Sequence, residues 1–252
     1  HNEELLPEWA EEANTLADAI VARRAAGDEA AAQIESRATE IKQRIMTGGV
    51  SDDPAERMLV AVDLMEGAKA NLDAPDARTM AFNAVVMMKS VIDSETRRLG
   101  EYEVNPEWRE YYIEAIEQLL EGNPAWLVAN PEMGKYYMEL GWQCSRLALR
   151  QDDPAIEKEY YDRAVVAYEK VPAKLGSTDN AFAHFEARYF ALELRLYMLL
   201  RDDVHLHSDE GEAEAIALRS MLETYGNEVS TAIPKMPETQ RAAMAKYGSI
   251  AA

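Results

Sequence analysis

Two acidic motifs stand where metal chemistry could reside: Asp52-Asp53-x-x-Glu56 and, 100 residues further on, Asp152-Asp153-x-x-x-Glu157. Acidic pairs on facing helices can hold a magnesium diphosphate, a task that needs carboxylates projecting inward from mid-helix. Both pairs here precede a proline, Pro54 and Pro154, at a helix start, where an aspartate accepts from exposed amides. The spacing assigns them to capping. His205-Leu206-His207 with Asp209-Glu210 gathers nitrogen and oxygen ligand types, but the run falls between helices and has no third histidine at fixed spacing. A stable metal site needs several ligands held by outer hydrogen bonds, so this run reads as a solvated loop. His184, beside Phe182 and Phe185, reads as a packed or surface histidine rather than a base. Cys144 is the sole cysteine, which leaves no intramolecular disulfide, thiolate zinc site or covalent haem. It shares a helix face with Tyr137, Leu140 and Leu147 and reads as a small buried hydrophobe. The sequence carries no His-Glu-x-x-His, Gly-x-Ser-x-Gly, phosphate-loop or dinucleotide fingerprint. No catalytic residue, metal ligand or cofactor is assigned.

The elements that would position any site come from a chain of 252 residues, enough to bury a core without staples. Hydrophobic residues make up 48% and charged residues 29%, a globular composition. Lys and Arg number 26 against 46 Asp and Glu, and a formal charge of -20 repels phosphate backbones and anionic lipid. Nucleic acid is therefore excluded as an expected partner, and a basic protein or peptide is favoured. The basic pairs Arg23-Arg24 and Arg97-Arg98 lie in the last turns of helices, where cations complement the dipole. No uninterrupted apolar run is long enough to span a membrane. His1 rather than methionine opens the chain, which fits a cleaved export signal, an internal fragment or a tag remnant alike; a soluble cytoplasmic or periplasmic protein is expected.

The periodicity is helical throughout. Pro7 to Gly27 and Asp28 to Thr47 form a first hairpin. A third helix follows Pro54 with Met58, Leu59, Val62 and Met65 inward. Pro75 starts a long helix to Leu99, whose wide apolar face (Met80, Ala84, Met87 and Val91, with Val85, Met88 and Ile92 beside them) implies neighbours on two sides. Met87-Met88 reads as helix packing before it reads as a Met-rich peptide groove. The next helix runs from Pro106 through Trp108, Tyr112, Ile116 and Leu119 to Gly122, followed by a short piece over 125–129. Later helices place Phe182, Phe185, Tyr189, Leu192, Leu196 and Leu199 on one face, then Ala213, Ile216, Ala217 and Met221 up to Tyr225-Gly226, then a capping helix from Pro237 to Tyr247 with Ala242, Met244 and Ala245 inward. The nearest candidate strand, Glu228 to Ile233, is short and abuts Pro234. Asp or Asn, then Pro, then Ala or Glu recurs at 53–55, 105–107, 123–125, 130–132 and 153–155, so half of the ten prolines serve one helix-starting device.

The stretch from Asn130 to Gly176 is the most informative. Met133, Tyr137, Leu140-Gly141-Trp142, Cys144 and Leu147-Ala148 lie three and four apart, the chain breaks at Asp152-Asp153-Pro154, and Tyr160, Ala164, Ala167, Tyr168 and Val171 resume the pattern to Pro172. So short a break predicts an antiparallel hairpin. Tyr137-x-x-Leu140-Gly141-x-x-Cys144 followed by Ala164-x-x-x-Tyr168 and a proline resembles the tetratricopeptide repeat, which sets a small residue where its two helices touch. Tyr137, Cys144 and Tyr168 replace the family's tryptophan, tyrosine and phenylalanine, and the link from Gly141 to Ala164 is about 10 residues too long for the roughly 34-residue unit. Phe182 to Tyr225 keeps the large-small alternation without the Leu-Gly pair.

The expected fold is all-α: a right-handed superhelix of antiparallel helical hairpins, a tetratricopeptide-like α-solenoid of about ten helices. It would form a single helical-repeat domain over residues 1–252, with irregular hairpins in 1–100, the repeat-like hairpin in 101–176, and a final hairpin with its cap in 177–252. The resemblance implies a concave wall lined by the first helix of each hairpin, hence partner-binding residues Lys135, Met138, Trp142, Ser145 and Arg146. Lys135 and Arg146 would hold a carboxylate, and Trp142 and Met138 would offer apolar contact. The function this implies is a non-catalytic scaffold or adaptor for a peptide or protein segment. The rivals are a structural subunit of a larger multiprotein assembly and a helical-bundle enzyme or small-molecule receptor.

Overall fold

The computed structural model describes residues 53–70, 75–101, 103–122 and 124–250. The first expected hairpin, Arg23-Arg24, Asp52 and Asn123 lie outside them. Ten α-helices and one two-residue β-ribbon make up the described residues, so the all-helical expectation holds. The chain divides into two compact units, His1–Pro124 and Ala125–Ala252, with the boundary at one of the Asx-Pro helix starters.

In the first unit, α1 (Pro54–Ala70), α2 (Pro75–Leu99) and α3 (Pro106–Glu121) pack against one another. Each described cap has a local cause. Asp53 Oδ1 accepts from the Ala55 amide at 2.9 Å and Asn105 Oδ1 from the Glu107 amide at 3.0 Å, satisfying amides that a new helix leaves open. Helix α2 buries Met80, Ala84, Val85, Met87, Met88, Val91 and Ile92 against both neighbours, as its wide face predicts. Met87 and Met88 are core, which removes the reading of that pair as an open groove. On α1 the inward set is Met58, Ala61, Leu64, Met65 and Ala68, whereas Leu59 stands 57% exposed. Small alanines let α1 and α2 approach closely, and Leu59 sits to one side of that seam.

One ion pair and one backbone hydrogen bond tie down the end of α2. Arg98 pairs with the buried Glu95, and its guanidinium, foremost by hydrogen bonding, holds that carboxyl below its ordinary range. Arg97 donates from Nε to the Asp93 carbonyl at 3.1 Å, so both arginines serve the helix end as expected. Gly100, with φ of 102°, makes the left-handed turn that stops the helix. Arg109, buried on α3, donates to the Glu101 carbonyl at 2.8 Å and to its carboxylate at 2.9 Å, clamping the connecting loop.

The second unit opens with the short α4 (Pro124–Ala129) and a 3₁₀ turn over Pro131–Lys135, then α5 (Tyr136–Ala148) and α6 (Pro154–Glu169). Here one copy of the helix-starting device does something else: Asn130 Nδ2 donates back to the Trp126 carbonyl at 2.9 Å, closing α4 rather than capping the 3₁₀ turn. Lys174–Leu175 pairs antiparallel with Thr178–Asp179, turning at Gly176 with φ of 62°. This ribbon delivers the chain to α7 (Ala181–Arg201), where Asn180 Nδ2 donates to the Pro172 carbonyl at 2.8 Å and His184 Nδ1 meets the Val171 carbonyl at 2.7 Å. His184 is thus a packed histidine.

A four-residue turn, α8 (Asp203–Leu206), precedes α9 (Asp209–Ala232), a 3₁₀ turn at Ile233–Lys235 and α10 (Glu238–Ile250). Helix α9 continues through Gly226 to Ala232, past its expected end and through the candidate strand. A mid-helix glycine costs about 1 kcal/mol, less than the burial of Tyr225 and Val229 on either side of it supplies. The inward face of α9 is Leu218, Tyr225 and Val229, and the expected set of Ala213, Ile216, Ala217 and Met221 lies outside. On α7, Leu192 and Leu199 are buried and Leu196 is 38% exposed. On α10, Met244 alone of the expected trio is buried; Ala242 and Ala245 are exposed.

Aromatic rings seat α10. Tyr247 lies 4.7 Å from Tyr189 and 6.2 Å from Phe190, centroid to centroid, and its hydroxyl donates to Glu186 Oε1 at 2.8 Å. Burial, followed by the bond to Glu186, pushes its phenol up to about 12. An unfolded tyrosine ionises near 10, so the stability this group contributes is complete below about pH 10 and is lost as pH rises toward 12. The wild-type urea midpoint should fall between about pH 8 and pH 11, and Tyr247→Phe should lessen that fall. An identical pH dependence in the variant would refute this seating of α10.

Candidate protein-binding surface

Two helices and a contact with a third build the surface. Gly141, midway along α5, meets the ring of Tyr168 near the end of α6; an added Cβ would stand 2.5 Å from Tyr168 Cε1. Gly134, just before α5, lies against Pro172, just after α6, and with the short link from Ala148 to Pro154 this makes the two helices antiparallel, as the short break predicts. Asp153 Oδ1 starts α6 by accepting from the Ala155 amide at 2.8 Å, so the second acidic pair supplies a cap. Tyr137, Leu140, Cys144 and Leu147 fill the α5 side of the seam, and Tyr161, Ala164, Val165, Ala167 and Tyr168 fill the other. Tyr161 takes the place expected for Tyr160, one position along. Burial raises the Tyr168 phenol well above its ordinary value, so the ring stays neutral.

Lys135, Met138, Trp142, Ser145 and Arg146 all fall along α5 and the turn before it, but they are not equivalent. Trp142 is 38% exposed, with the Arg146 guanidinium 4.2 Å above its ring and the edge of Phe190 from α7 at 6.4 Å. Lys135 lies 5.3 Å over the ring of Tyr136. Met138 is half-buried. Ser145 turns inward instead, donating from Oγ to the Gly141 carbonyl at 2.8 Å. Its hydroxyl is spent on its own helix and offers little to a partner.

Phe190 and Tyr136 are the members that spacing within the hairpin does not reveal. Phe190 borders Trp142 and also meets Tyr168 at 5.6 Å, although it lies off the main apolar stripe of α7. An aromatic residue standing off that helix's main stripe is the signal for it in the sequence. Leu149, 50% exposed just beyond α5, extends the apolar area. Together these groups present an aromatic ring, aliphatic surface and planar or point cations, which suit an apolar side chain beside a carboxylate.

The other chemistry-bearing residues disperse. His205 Nε2 meets Glu214 Oε2 at 3.0 Å, whereas His207 Nδ1 meets the Asp203 carbonyl at 2.7 Å. The two histidines therefore hold the α8 turn with different partners. Cys144 is buried. Among the described residues no three His, Cys, Asp or Glu side chains gather as metal ligands, and no helix is long and apolar enough to cross a membrane.

No family model, curated protein or solved structure matches the chain.

The seam makes a sharp contrast between two glycines. At Gly141 a methyl group would meet a buried ring wedged against Phe190, whereas at Gly67 it would meet only the flexible end of Met80. Gly141→Ala should lower stability by about 1–3 kcal/mol, the usual cost of overpacking. Gly67→Ala should stay within about 1 kcal/mol of wild type, because helix propensity offsets a small adjustment. Urea denaturation monitored by circular dichroism measures both, and equal effects would contradict the tight crossing at Gly141.

Proposed function

We propose that the chain is a non-catalytic interaction scaffold that binds a peptide or protein segment on the Lys135–Arg146 face. The observation that carries this is Trp142, part exposed and in contact with both the Arg146 guanidinium and the Phe190 ring. Trp and Arg are the side chains that most often anchor interfaces, and a ring already packed against two neighbours loses little freedom on binding. Support for a tetratricopeptide-like architecture comes from the Gly141–Tyr168 crossing, the small-against-large contact that the resemblance requires. Repeats of this kind leave an extended wall for another chain, and here the wall would include α5.

The occupant would place an apolar side chain against Trp142 and Met138 and a carboxylate near Lys135 and Arg146. A displayed peptide library selected on the wild-type chain tests this. Enriched peptides should pair an apolar residue with an acidic side chain or a C-terminal carboxylate, and the double variant Trp142→Ala, Arg146→Ala should bind them at least about tenfold more weakly. Unchanged affinity in that variant would move the binding surface elsewhere.

A further inference from the structure

Helix α9 carries two apolar stripes, and its own unit covers only one. Leu218, Tyr225 and Val229 are buried in the cluster with Leu192, Leu199, Met236 and Met244. Ala213, Ile216, Ala217 and Met221, three and four residues apart, form a second face that lies exposed, Ile216 at 64% and Met221 at 45%. Ser220 and Thr224 continue it, with Thr224 Oγ1 donating to the Ser220 carbonyl at 2.8 Å, so the face stays free of charge for three turns.

Its borders are acidic. Helical spacing sets Glu214 along one edge and Glu212 and Glu223 along the other, with Glu210 and Glu228 at the two ends of the strip; Glu214 also meets His205 at 3.0 Å and Glu228 pairs with Arg188. The helix holds six acidic side chains against one arginine, and that residue, Arg219, is turned to Glu223 at 3.0 Å. An apolar strip between carboxylate rims complements an amphipathic helix with an apolar stripe and lysine or arginine flanks. We infer that this face of α9 docks a basic amphipathic helix of another protein. A second copy of the chain fits poorly, since it would bring like-charged rims together. The face is separate from the Lys135–Arg146 surface and does not rest on that assignment.

The test uses the full chain and a synthetic Leu/Lys amphipathic helical peptide, with a Leu/Glu peptide of the same pattern as control, in fluorescence anisotropy. The Leu/Lys peptide should bind, less tightly as salt is raised, and the control should not. Ile216→Glu with Met221→Glu is the deciding variant because both positions are exposed and both changes add negative charge. Attraction by net charge alone would hold the basic peptide more tightly, whereas docking on the strip loses at least about tenfold in affinity. Circular dichroism and the unfolding midpoint of that variant should match wild type. Binding should persist in the Trp142→Ala, Arg146→Ala chain. The inference is overturned by no binding to wild type, by equal or tighter binding to the glutamate variant, by loss in the Trp142/Arg146 variant, or by light scattering that shows a wild-type dimer the glutamate changes dissociate.

Discussion

The contact between Gly141 and Tyr168 governs the second unit's surface. A residue without a Cβ lets the Tyr168 ring approach the α5 backbone closely, and from that position the ring meets Phe190 of α7 at 5.6 Å. Phe190 in turn meets Trp142 at 6.4 Å, and the Arg146 guanidinium lies over the same ring at 4.2 Å. A single small residue thus sets the path from helix crossing to ring cluster to exposed surface. Cores transmit such placement because they are packed like solids, so a side chain shifted at one end displaces those at the other.

Features set by neighbours in sequence were legible. Asp53, Asn105 and Asp153 cap where proline and local amides dictate, and the wide stripe of α2 demands two partners and finds them. Features set by a choice between equal alternatives were not. Helix α9 offers Ala213, Ile216, Ala217 and Met221 or Leu218, Tyr225 and Val229, and periodicity weighs both alike. Tyr225 decides it: buried between helices, it donates from its hydroxyl to the Phe185 carbonyl at 3.1 Å, an arrangement the smaller stripe could not supply. Gly226 misled for the same reason, since its local cost is real but smaller than the burial around it. Within the candidate surface, Trp142 and Arg146 were legible from hairpin register, whereas Phe190 required knowing which helix comes third.

Electrostatics joins the arginines of α7 to carboxylates on its neighbouring helices. Arg195 reaches Glu169 at 2.8 Å, Arg201 pairs with the buried Glu157, and Arg188 pairs with Glu228, so three arginines of α7 tie it to α6 and α9. Two of them also lie over rings, Arg201 at 5.8 Å from Tyr197 and Arg188 at 6.0 Å from Phe185. Glu157 depends on its partner most, because a buried carboxylate left alone is costly, whereas the exposed ends of these pairs gain little in water.

Tying an arginine to a carboxylate removes one charge of each sign together and leaves the excess of acidic groups untouched. With 26 basic against 46 acidic residues the formal charge stays at -20, and the field of the chain is negative. Such a field acts over roughly a Debye length of 8–10 Å at ordinary salt, so it governs which molecules approach and how fast. It cannot supply close fit. Holding a partner falls to contacts that exclude water, and the part-exposed Trp142 ring and the uncovered aliphatic face of α9 are the surfaces proposed above for that task. Charge and apolar contact therefore act in sequence: the first selects by sign at a distance, the second by shape at contact.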